Sequence, residues 1–525
     1  MDAWVACVAM MASTVVFVLP PARTPWHGMA LLVAILMLVP GLQYSLGLVT
    51  FAGDAWISTA YLVGFLLALL TGARWETMRP RHMLDHLFLA IGVAALLSVG
   101  LQFHQWLRLD RLDIWSMGEG VGRPFANFGQ PNQLGTFLIW GLLALAWGVI
   151  RRHIGGGVAI GISLYLSFGL ALTSSHTAWL AISLLVACSW MWRRFWPDAR
   201  WSWMVSGLAV YFVLCNMCIG WLSQALTGAS AEDWGGIARI SGESRPAIWA
   251  LFLDAALQQP WWGYGWNQVV LAQMAVALEH PPLHVYFAHS HNLFLDLMVW
   301  CGIPLGLMVS AWLLRWFWLR VRTVANAENA VLVLFLLVVG NHAMLELPLH
   351  HAYFLLPAGL VIGALDVRMD IRPIIMGGRV TMGLLWLVCV ILLALIIRDY
   401  ARVEPAYQKL RFEWAHVKTE PANPPDVLLL TQWRDFVRFV RFEPTKGIAP
   451  ADLQWMRDVA ALYPSAGFFQ KLATALALNQ HPEEASQWLS RLCQVVSTSQ
   501  CASVKAAWVL QAKNSPEVAD VRWPK

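Results

Sequence analysis

Three residues of this chain combine a candidate base with fixed positive charge: His291, Arg245 and Arg123. A guanidinium group binds phosphate oxygens in a bidentate fork and stays charged at any relevant pH. A neutral imidazole is the common side chain for taking a proton from an attacking hydroxyl group. The three residues therefore predict an anion site with a base, suited to a reaction in which a pyrophosphate leaves while an acceptor hydroxyl attacks.

Each of these residues also has a simpler interpretation. A histidine at the start of a helix is often a cap or an interface residue, and an arginine beside a membrane often binds lipid headgroups. His289 and His284 are close enough to His291 in the sequence to be rival bases. Arg245 favours the anion site in a second way, because it begins a predicted helix whose free backbone amides attract anions.

The elements that must position these side chains are membrane spans. Of 525 residues, 58% are hydrophobic and only 13% are charged, which is too little charge to cover a soluble surface. About twelve apolar runs are long enough to cross a hydrocarbon core of about 30 Å as helices. The predicted spans are Ala3–Pro20, Gly28–Leu48, Ala55–Ala73, Leu84–Phe103, Asn132–Ile150, Ile154–Leu172, His176–Trp192, Ser202–Leu222, His291–Leu314, Glu328–Leu345, His350–Asp366 and Val380–Arg398. The predicted fold class is all-α, a polytopic membrane bundle.

Clustered arginines indicate which linkers face the cytoplasm of a bacterial inner membrane. The basic clusters are Arg74, Arg79 and Arg81; Arg151 and Arg152; Arg193, Arg194 and Arg200; Arg315, Arg320 and Arg322; and Arg368, Arg372 and Arg379. The alternate linkers then face the periplasm, including the loops 104–131 and 223–290. By parity the N-terminus is outside as well, and one further span upstream would restore a cytoplasmic N-terminus. The net charge of +5 is spread over these linkers, which argues against a nucleic-acid partner and fits contact with membrane lipids.

The longer periplasmic loop is predicted to hold two short helices. The first begins after Ser244 and ends before Pro260, and the second covers about Asn267–Leu278. The turn Gly263-Tyr264-Gly265 separates them. Most of the 31 tryptophans are expected to anchor membrane interfaces, whereas three in this loop are candidates for stacking on sugar rings. They are Trp261, Trp262 and Trp266.

The tail differs in composition from the rest of the chain. We predict a transmembrane domain at 1–400, which carries the candidate chemistry, and a periplasmic, helical accessory domain at 401–525. Candidate helices in the tail are Val427–Phe442, Ala451–Leu462, Ala466–Asn479 and Glu483–Val496, and Phe468–Leu492 resembles one tetratricopeptide-like hairpin. Cys493 and Cys501 are candidates for a disulfide in an oxidising compartment.

Several kinds of chemistry lack their motifs in this sequence. There is no D-x-D, and the periplasmic loops contain only scattered acids such as Glu232 and Asp233. Neither a P-loop nor a glycine-rich nucleotide fingerprint occurs. Cys215 and Cys218 form a C-x-x-C inside a predicted span without a partner pair, which does not indicate a zinc site. We therefore predict metal-independent chemistry without a cofactor, driven by an activated donor.

Three ordered segments resemble the PglL-type protein O-oligosaccharyltransferases of the O-antigen ligase superfamily. The first, Gly122–Leu134, is similar to the family box R-x-x-G/A-N-x-x-Q-P-N-Q. The second resembles the ligase signature H-N-x9-G and comprises Arg245, Trp249, Pro260, Gly263, Gly265, His291, Asn292 and Gly302. The third, Asn341–Pro357, looks like the H-x-x-x-E-x-P-L segment of the protein-glycosylating branch.

The resemblance implies roles for matching residues. His291 corresponds to the proposed catalytic base, and Arg245 to a pyrophosphate ligand. The implied substrate-binding residues are Arg123, Gln130, Asn132, His176, Asn292, His342 and Glu346. The implied donor is an oligosaccharide on undecaprenyl pyrophosphate, transferred with inversion to Ser or Thr of exported proteins such as pilins. His176 is a departure, since family members often have Arg there; it would hold pyrophosphate only when protonated, unless another residue compensates.

Other functions compete with this one. An O-antigen ligase would use the same donor and base but attack from a lipid A core sugar, and a glycan polymerase belongs to the same class. The box at 130–133, the Glu346 segment and the tail favour a protein acceptor. A transporter of lipid-linked glycans would bury ionisable residues within its spans to form a pathway. Such residues are few here, with Asp85 and Asp296 as the main exceptions.

Overall fold

The computed structural model describes residues 2–18, 23–109, 115–116, 123–228 and 245–523. Nearly all of the regular structure in these ranges is α-helix. The helices are α1 Asp2–Ser13, α2 Val15–Val18, α3 Gly28–Leu36, α4 Val39–Ser45, α5 Ala52–Met78, α6 His82–Trp106, α7 Pro131–Ile150, α8 Gly156–Leu172, α9 His176–Met191, α10 Trp201–Thr227, α11 Arg245–Gln258, α12 Val269–Val276, α13 Leu293–Cys301, α14 Ile303–Arg322, α15 Ala327–Ala343, α16 Ala352–Arg368, α17 Arg379–Trp414, α18 Thr431–Arg441, α19 Pro450–Leu462, α20 Ala466–Leu478, α21 Pro482–Val495, α22 Thr498–Ala512 and α23 Pro516–Ala519. Two strands, β1 Thr24–Trp26 and β2 Ile375–Gly377, pair antiparallel.

Helix starts follow the capping chemistry of their sequences. Ser175, Asn292, Asn326 and Ser465 each precede a helix and accept a hydrogen bond from a backbone amide of its first turn. Proline occupies the first turn of α7, α19 and α21, where its missing N–H costs no helical hydrogen bond. Ser244, the predicted start of α11, lies outside the described residues, as do Glu232 and Asp233.

Six helical segments in the described ranges are long and apolar enough to cross a membrane, and the first of them comprises α3, α4 and the turn between them. They are Gly28–Ser45, Ala52–Met78, His82–Trp106, Pro131–Ile150, Trp201–Thr227 and Arg379–Trp414. Other predicted spans appear as apolar helices of 16 or 17 residues, such as α8, α9 and α15. The structure therefore confirms an all-helical chain with membrane-helix character, while the number of twelve spans stays a prediction.

Two predicted spans are interrupted. The run 28–48 contains a turn at Met37 and Leu38, so that α3 and α4 are separate helices. The run 291–314 is divided at Gly302, whose φ of +80° is incompatible with a right-handed helix. Hydrophobicity alone did not reveal these breaks, because the apolar residues continue across both of them.

The described residues form two compact units. Unit 1 comprises 1–33, 64–246 and 312–387, and unit 2 comprises 34–63, 247–311 and 388–525. The core of unit 1 is built largely by α6, α7 and α15, where the ring of Trp140 stacks on Phe335 at 3.8 Å and Phe88 stacks on Trp147 at 4.9 Å. The indole N–H of Trp140 also donates to the backbone carbonyl of Phe335 at 2.9 Å.

Charged residues of unit 1 gather at linkers that the sequence predicted on one side of the membrane. Glu328 contacts the guanidinium groups of Arg81, Arg151 and Arg368, which belong to three different basic linkers. Strands β1 and β2 join two further segments of that same predicted side, with Thr24 opposite Gly377. The alternation predicted from the arginines thus agrees with which linkers meet within unit 1.

The tail helices in unit 2 pack around an apolar core that includes Phe439, Phe469, Leu472 and Leu489. The predicted hairpin is present as α20 and α21, which pack against each other. Helix α22 was not predicted. The predicted disulfide between Cys493 and Cys501 is confirmed and joins the end of α21 to the first turn of α22. Helix α17 runs without interruption through residue 400, and the predicted domain boundary there stays a prediction.

Candidate active site

Glu346 is the centre of a polar cluster in unit 1. Its carboxylate accepts hydrogen bonds from the side-chain amides of Asn132 at 3.1 Å and Gln130 at 3.5 Å. Its Oε1 atom lies 3.7 Å from Nη2 of Arg245. Both side chains of this ion pair are largely buried, with 10% of Glu346 and 17% of Arg245 exposed. Four predicted site residues, far apart in the sequence, are therefore brought together.

Arg123 is a fifth member of the cluster. Its Nε donates to the backbone carbonyl of Thr173 at 2.8 Å, and its Nη2 donates to Oδ1 of Asn132 at 3.4 Å. The same Oδ1 accepts a 2.7 Å hydrogen bond from the hydroxyl of Ser175. Burial lowers the pKa of Arg123 from its ordinary value, and the Glu346 carboxylate opposes that shift. Asn132 thus fixes one guanidinium and the carboxylate at the same time.

Arg245 keeps unused hydrogen-bonding capacity. It is the first residue of α11, and its Nε atom is buried without a hydrogen-bond partner among the described residues. A buried polar group without a partner carries a desolvation cost, so such groups often indicate a missing ligand or a functional site. Among the described residues, the carboxylate that pairs with this guanidinium is that of Glu346, which approaches Nη2 and leaves the Nε–H for an anion.

Two further predicted ligands of unit 1 differ in their surroundings. His176 is exposed at the start of α9 and lies within electrostatic range of both Arg123 and Arg245. His342 is fully buried in α15, and its Nδ1 is 2.9 Å from the hydroxyl of Thr136. His176 therefore lies near both guanidinium groups. His342 has a hydrogen-bond partner for Nδ1, whereas its buried Nε2 has none among the described residues. The substrate role of each histidine stays a prediction.

His291 and Asn292 lie in unit 2 at the entry to α13. His291 is half-buried and has a φ of +59°, and its backbone N–H donates to Nδ1 of His289 at 3.3 Å. Asn292 caps α13 by accepting from the amides of Phe294 and Leu295 at 3.0 and 3.3 Å. Asn292 therefore has a structural role, while the side chain of His291 projects from a strained backbone position, as is common at functional sites.

Buried groups next to His291 fix this entry further. The Asp296 carboxylate accepts from the backbone N–H of Ser290 at 2.8 Å and lies within electrostatic range of His291. The second rival base, His284, bonds to the carbonyl of Val496 in the tail. The rings of His289 and His284 thus each contact a backbone group, the N–H of His291 and the carbonyl of Val496 respectively.

Two glycines of the second motif, Gly263 and Gly302, lie where the turn after α11 meets the end of α13. The turn after α11 pairs with the end of α13, since Tyr264 N–H donates to the Val299 carbonyl at 2.8 Å and Ile303 N–H to the Pro260 carbonyl at 2.7 Å. A Cβ at Gly302 would overlap the carbonyl oxygen of Trp261. The spacing between His291 and Gly302 therefore reflects the length of a short helix that ends against this turn.

The three loop tryptophans are not equivalent. Trp261 and Trp262 are exposed, as expected for side chains that meet a lipid surface or a sugar. Trp266 is buried, and its ring centre is 5.2 Å from that of Trp300. The sugar-stacking interpretation of Trp266 is therefore wrong, because this indole belongs to the packing that supports α13.

Comparison with known families places three regions of the chain in one functional group. Residues 124–147 match a model described as protein glycosylation ligase, and residues 161–310 match a model described as O-antigen ligase. Residues 330–510 match a model described as the C-terminal part of a virulence factor membrane-bound polymerase. In these regions the chain therefore resembles the O-antigen ligase superfamily. The first two matched regions contain the Asn132 and His291 segments respectively.

Two proteins of Acinetobacter baylyi are similar over long stretches. One, a general O-oligosaccharyltransferase, is 29% identical over 469 residues, which cover 86% of this chain and 81% of the relative. The other, a ComP-specific O-oligosaccharyltransferase, is 25% identical over 328 residues, or 62% of this chain and 59% of the relative. The chain is accordingly a glycosyltransferase with membrane-helix character, and it resembles the PglL-type enzymes of protein O-glycosylation.

Proposed function

We propose that the chain transfers a preassembled oligosaccharide from undecaprenyl pyrophosphate to Ser or Thr hydroxyls of exported proteins, with its active site facing the periplasm. Both relatives are named for O-linked transfer, and the name of one specifies ComP as its acceptor. The observation that carries the proposal is the buried Nε–H of Arg245, which has no partner among the described residues, next to a second guanidinium held by Asn132.

Arg245 and Arg123 bind the pyrophosphate of the donor in this proposal. As the bond between the anomeric carbon and the phosphate oxygen breaks, negative charge grows on the diphosphate, and pre-positioned cations stabilise it. Glu346, Asn132 and Gln130 hold these cations in place before the donor arrives. His176 lies within electrostatic range of both guanidinium groups and adds positive charge there only when it is protonated. In this proposal two guanidinium groups supply the positive charge that a divalent cation would supply in a metal-dependent transferase.

His291 acts as the base on the acceptor. The hydroxyl oxygen of Ser or Thr forms a bond to the anomeric carbon while the carbon–phosphate oxygen bond breaks on the opposite side. The hydroxyl proton passes to His291, and the electron pair leaves with undecaprenyl pyrophosphate. Attack opposite to the leaving group inverts the anomeric carbon. His289 and Asp296 support this role because they hold the backbone amides of His291 and of the preceding residue, Ser290.

The test is co-expression with a lipid-linked glycan pathway and candidate acceptors such as pilins, followed by intact-mass analysis of the acceptor. We expect the glycan mass on the acceptor with wild type and its loss with His291→Ala. His280→Ala is the matched control, since His280 lies in the same loop and pairs with Asp254 at 3.1 Å. Full glycosylation by His291→Ala would contradict the base assignment.

Two further measurements separate the competing functions. Analysis of lipid A from the same cells tests for an O-antigen ligase. Glycan on the core sugar, with none on protein, would show that the acceptor is the lipid and not a protein. Purified protein assayed with a chelator tests the cation proposal. We expect an unchanged rate in the chelator; a loss that added Mg²⁺ or Mn²⁺ restores would require a metal in place of the arginines.

A further inference from the structure

The segment that carries His291 is fastened to the tail. His284 N–H donates to the carbonyl of Gln494 at 2.9 Å, and the imidazole Nδ1 of His284 lies 3.3 Å from the carbonyl of Val496. A carbonyl only accepts, so Nδ1 of His284 carries the proton in this contact. Gln494 lies in the last turn of α21 and Val496 directly follows that helix, and the disulfide between Cys493 and Cys501 closes the turn between α21 and α22.

The buried side-chain amide of Gln273 also holds this segment. We define the strap as residues 284–290, which lead directly to His291. The side chain of Gln273 is buried; its Nε2 donates to the carbonyl of Val285 at 2.9 Å, and its Oε1 accepts from the N–H of Phe287 at 2.8 Å. The strap has no helix or strand of its own, so these contacts and those of His284 define its path.

The strap in turn determines where the His291 ring sits. The Phe287 ring meets the His291 ring edge to face, with centroids 5.9 Å apart, and His289 accepts the backbone N–H of His291. His284 and His291 both have positive φ, at +56° and +59°. Such backbone conformations are costly for residues other than glycine and persist only where surrounding contacts impose them. Loosening the tail contact should therefore let the strap relax and the imidazole move.

We propose that the disulfide-closed turn 493–501 and His284 position His291, so that the tail sets the rate of transfer through the strap. The proposal rests on the proposed function of His291 as the base. Proton transfer needs the base within hydrogen-bond reach of the acceptor, and a misplacement of about 1 Å can cost on the order of 10²-fold in rate. His284 and the two cysteines are positioning residues, because they act through His291.

The experiment uses the purified full-length protein, a lipid-linked oligosaccharide donor and an acceptor peptide without cysteine. We expect His284→Ala and the double variant Cys493→Ser/Cys501→Ser to lower kcat by about 10-fold or more, with KM for the donor within about 2-fold of wild type. His284→Asn should recover most of the rate, since Asn tolerates positive φ and its amide N–H₂ can donate to Val496. Dithiothreitol should slow wild type to the rate of the cysteine variant and leave that variant unchanged.

Ser465→Ala is the matched control for loss of tail stability. Ser465 caps α20 by accepting a hydrogen bond from the Phe468 amide at 3.3 Å, and no hydrogen bond among the described residues joins it to the strap. Its loss should therefore weaken the tail by about 0.5–2 kcal/mol without changing the contacts of His284. Its kcat should equal that of wild type. Equal losses in Ser465→Ala and His284→Ala, or wild-type kcat in both His284→Ala and the cysteine variant, would overturn the positioning role.

A parallel His291→Ala variant separates the two proposals. If it retains full turnover, the base assignment fails and the positioning proposal falls with it. If it is inactive while His284→Ala, the cysteine variant and reduced wild type all turn over at the wild-type rate, only the positioning proposal fails.

Discussion

Replacing Glu346 by glutamine should make the enzyme bind pyrophosphate more tightly. In the structure the Glu346 carboxylate partly neutralises Arg245 at 3.7 Å and also faces Arg123. Coulomb's law gives an attraction of about 4 kcal/mol at this distance for an effective dielectric constant of about 20, and about 1 kcal/mol in water. The pair is mostly buried but not dry, so a value between these limits applies. Glutamine keeps the oxygen that accepts from Asn132 and removes the charge that repels an anion.

The assay is competitive inhibition of glycan transfer by inorganic pyrophosphate. If about 1.4–2.7 kcal/mol of repulsion is removed, the inhibition constant of Glu346→Gln should fall by roughly 10- to 100-fold. Glu328→Gln is the matched control: it removes the same charge elsewhere in unit 1, from a carboxylate that contacts Arg81, Arg151 and Arg368. Its inhibition constant should not change. Unchanged or weaker inhibition in Glu346→Gln would refute the anion site.

Three further predictions concern the site, the turn that supports α13, and the tail. Asn132→Ala should raise the donor KM by about 10-fold, because it removes hydrogen bonds to Glu346 and Arg123 worth about 1.5–3 kcal/mol each; a wild-type KM would show that neither contact matters for the donor. Gly302→Ala should reduce the yield of folded protein in membranes, since its Cβ overlaps the Trp261 carbonyl and φ is +80°, and wild-type yield and melting temperature would contradict the pairing of turn and helix. In the tail, Arg457 donates hydrogen bonds to Glu484 at 2.6 and 2.7 Å and so lowers the Glu484 pKa below its ordinary value of about 4.5. The resulting stabilisation is complete above pH 4.5 and is lost as the pH falls through the lowered pKa. Glu484→Gln should therefore make the melting temperature less dependent on pH on the acid side. An identical acid slope in both proteins would show that the pair does not contribute.

Local sequence signals located most of the helices. Predicted and observed bounds agree to within about five residues for α7 to α10. Local signals mark two of these starts, since α7 begins at a proline and α9 follows the Ser175 cap. The loop helix α11, the following glycine turn and the tail disulfide were also predicted from composition and spacing. The break at Gly302 was not predicted, because it depends on the close approach of the Trp261 carbonyl, which belongs to a different segment of the chain.

The site was predicted in its residue types but not in its contacts. The sequence indicated Arg123, Asn132, Arg245 and Glu346 as ligands, yet no local pattern shows that one carboxylate would meet two amides and a guanidinium. Ser175 was visible only as part of a turn, and its hydrogen bond to Asn132 depends on α7 packing beside α9. The anchors of the strap, such as Gln273, carry no motif, because a buried amide looks like any other glutamine in a sequence.

The most direct test of the central claim is single-turnover release of undecaprenyl pyrophosphate by purified protein saturated with donor and acceptor. If His291 removes the acceptor proton, His291→Ala should lower the single-turnover rate by about 10²- to 10⁴-fold while donor binding stays at the wild-type level. A His291→Ala protein that releases the carrier and glycosylates the peptide at the wild-type rate would contradict the account.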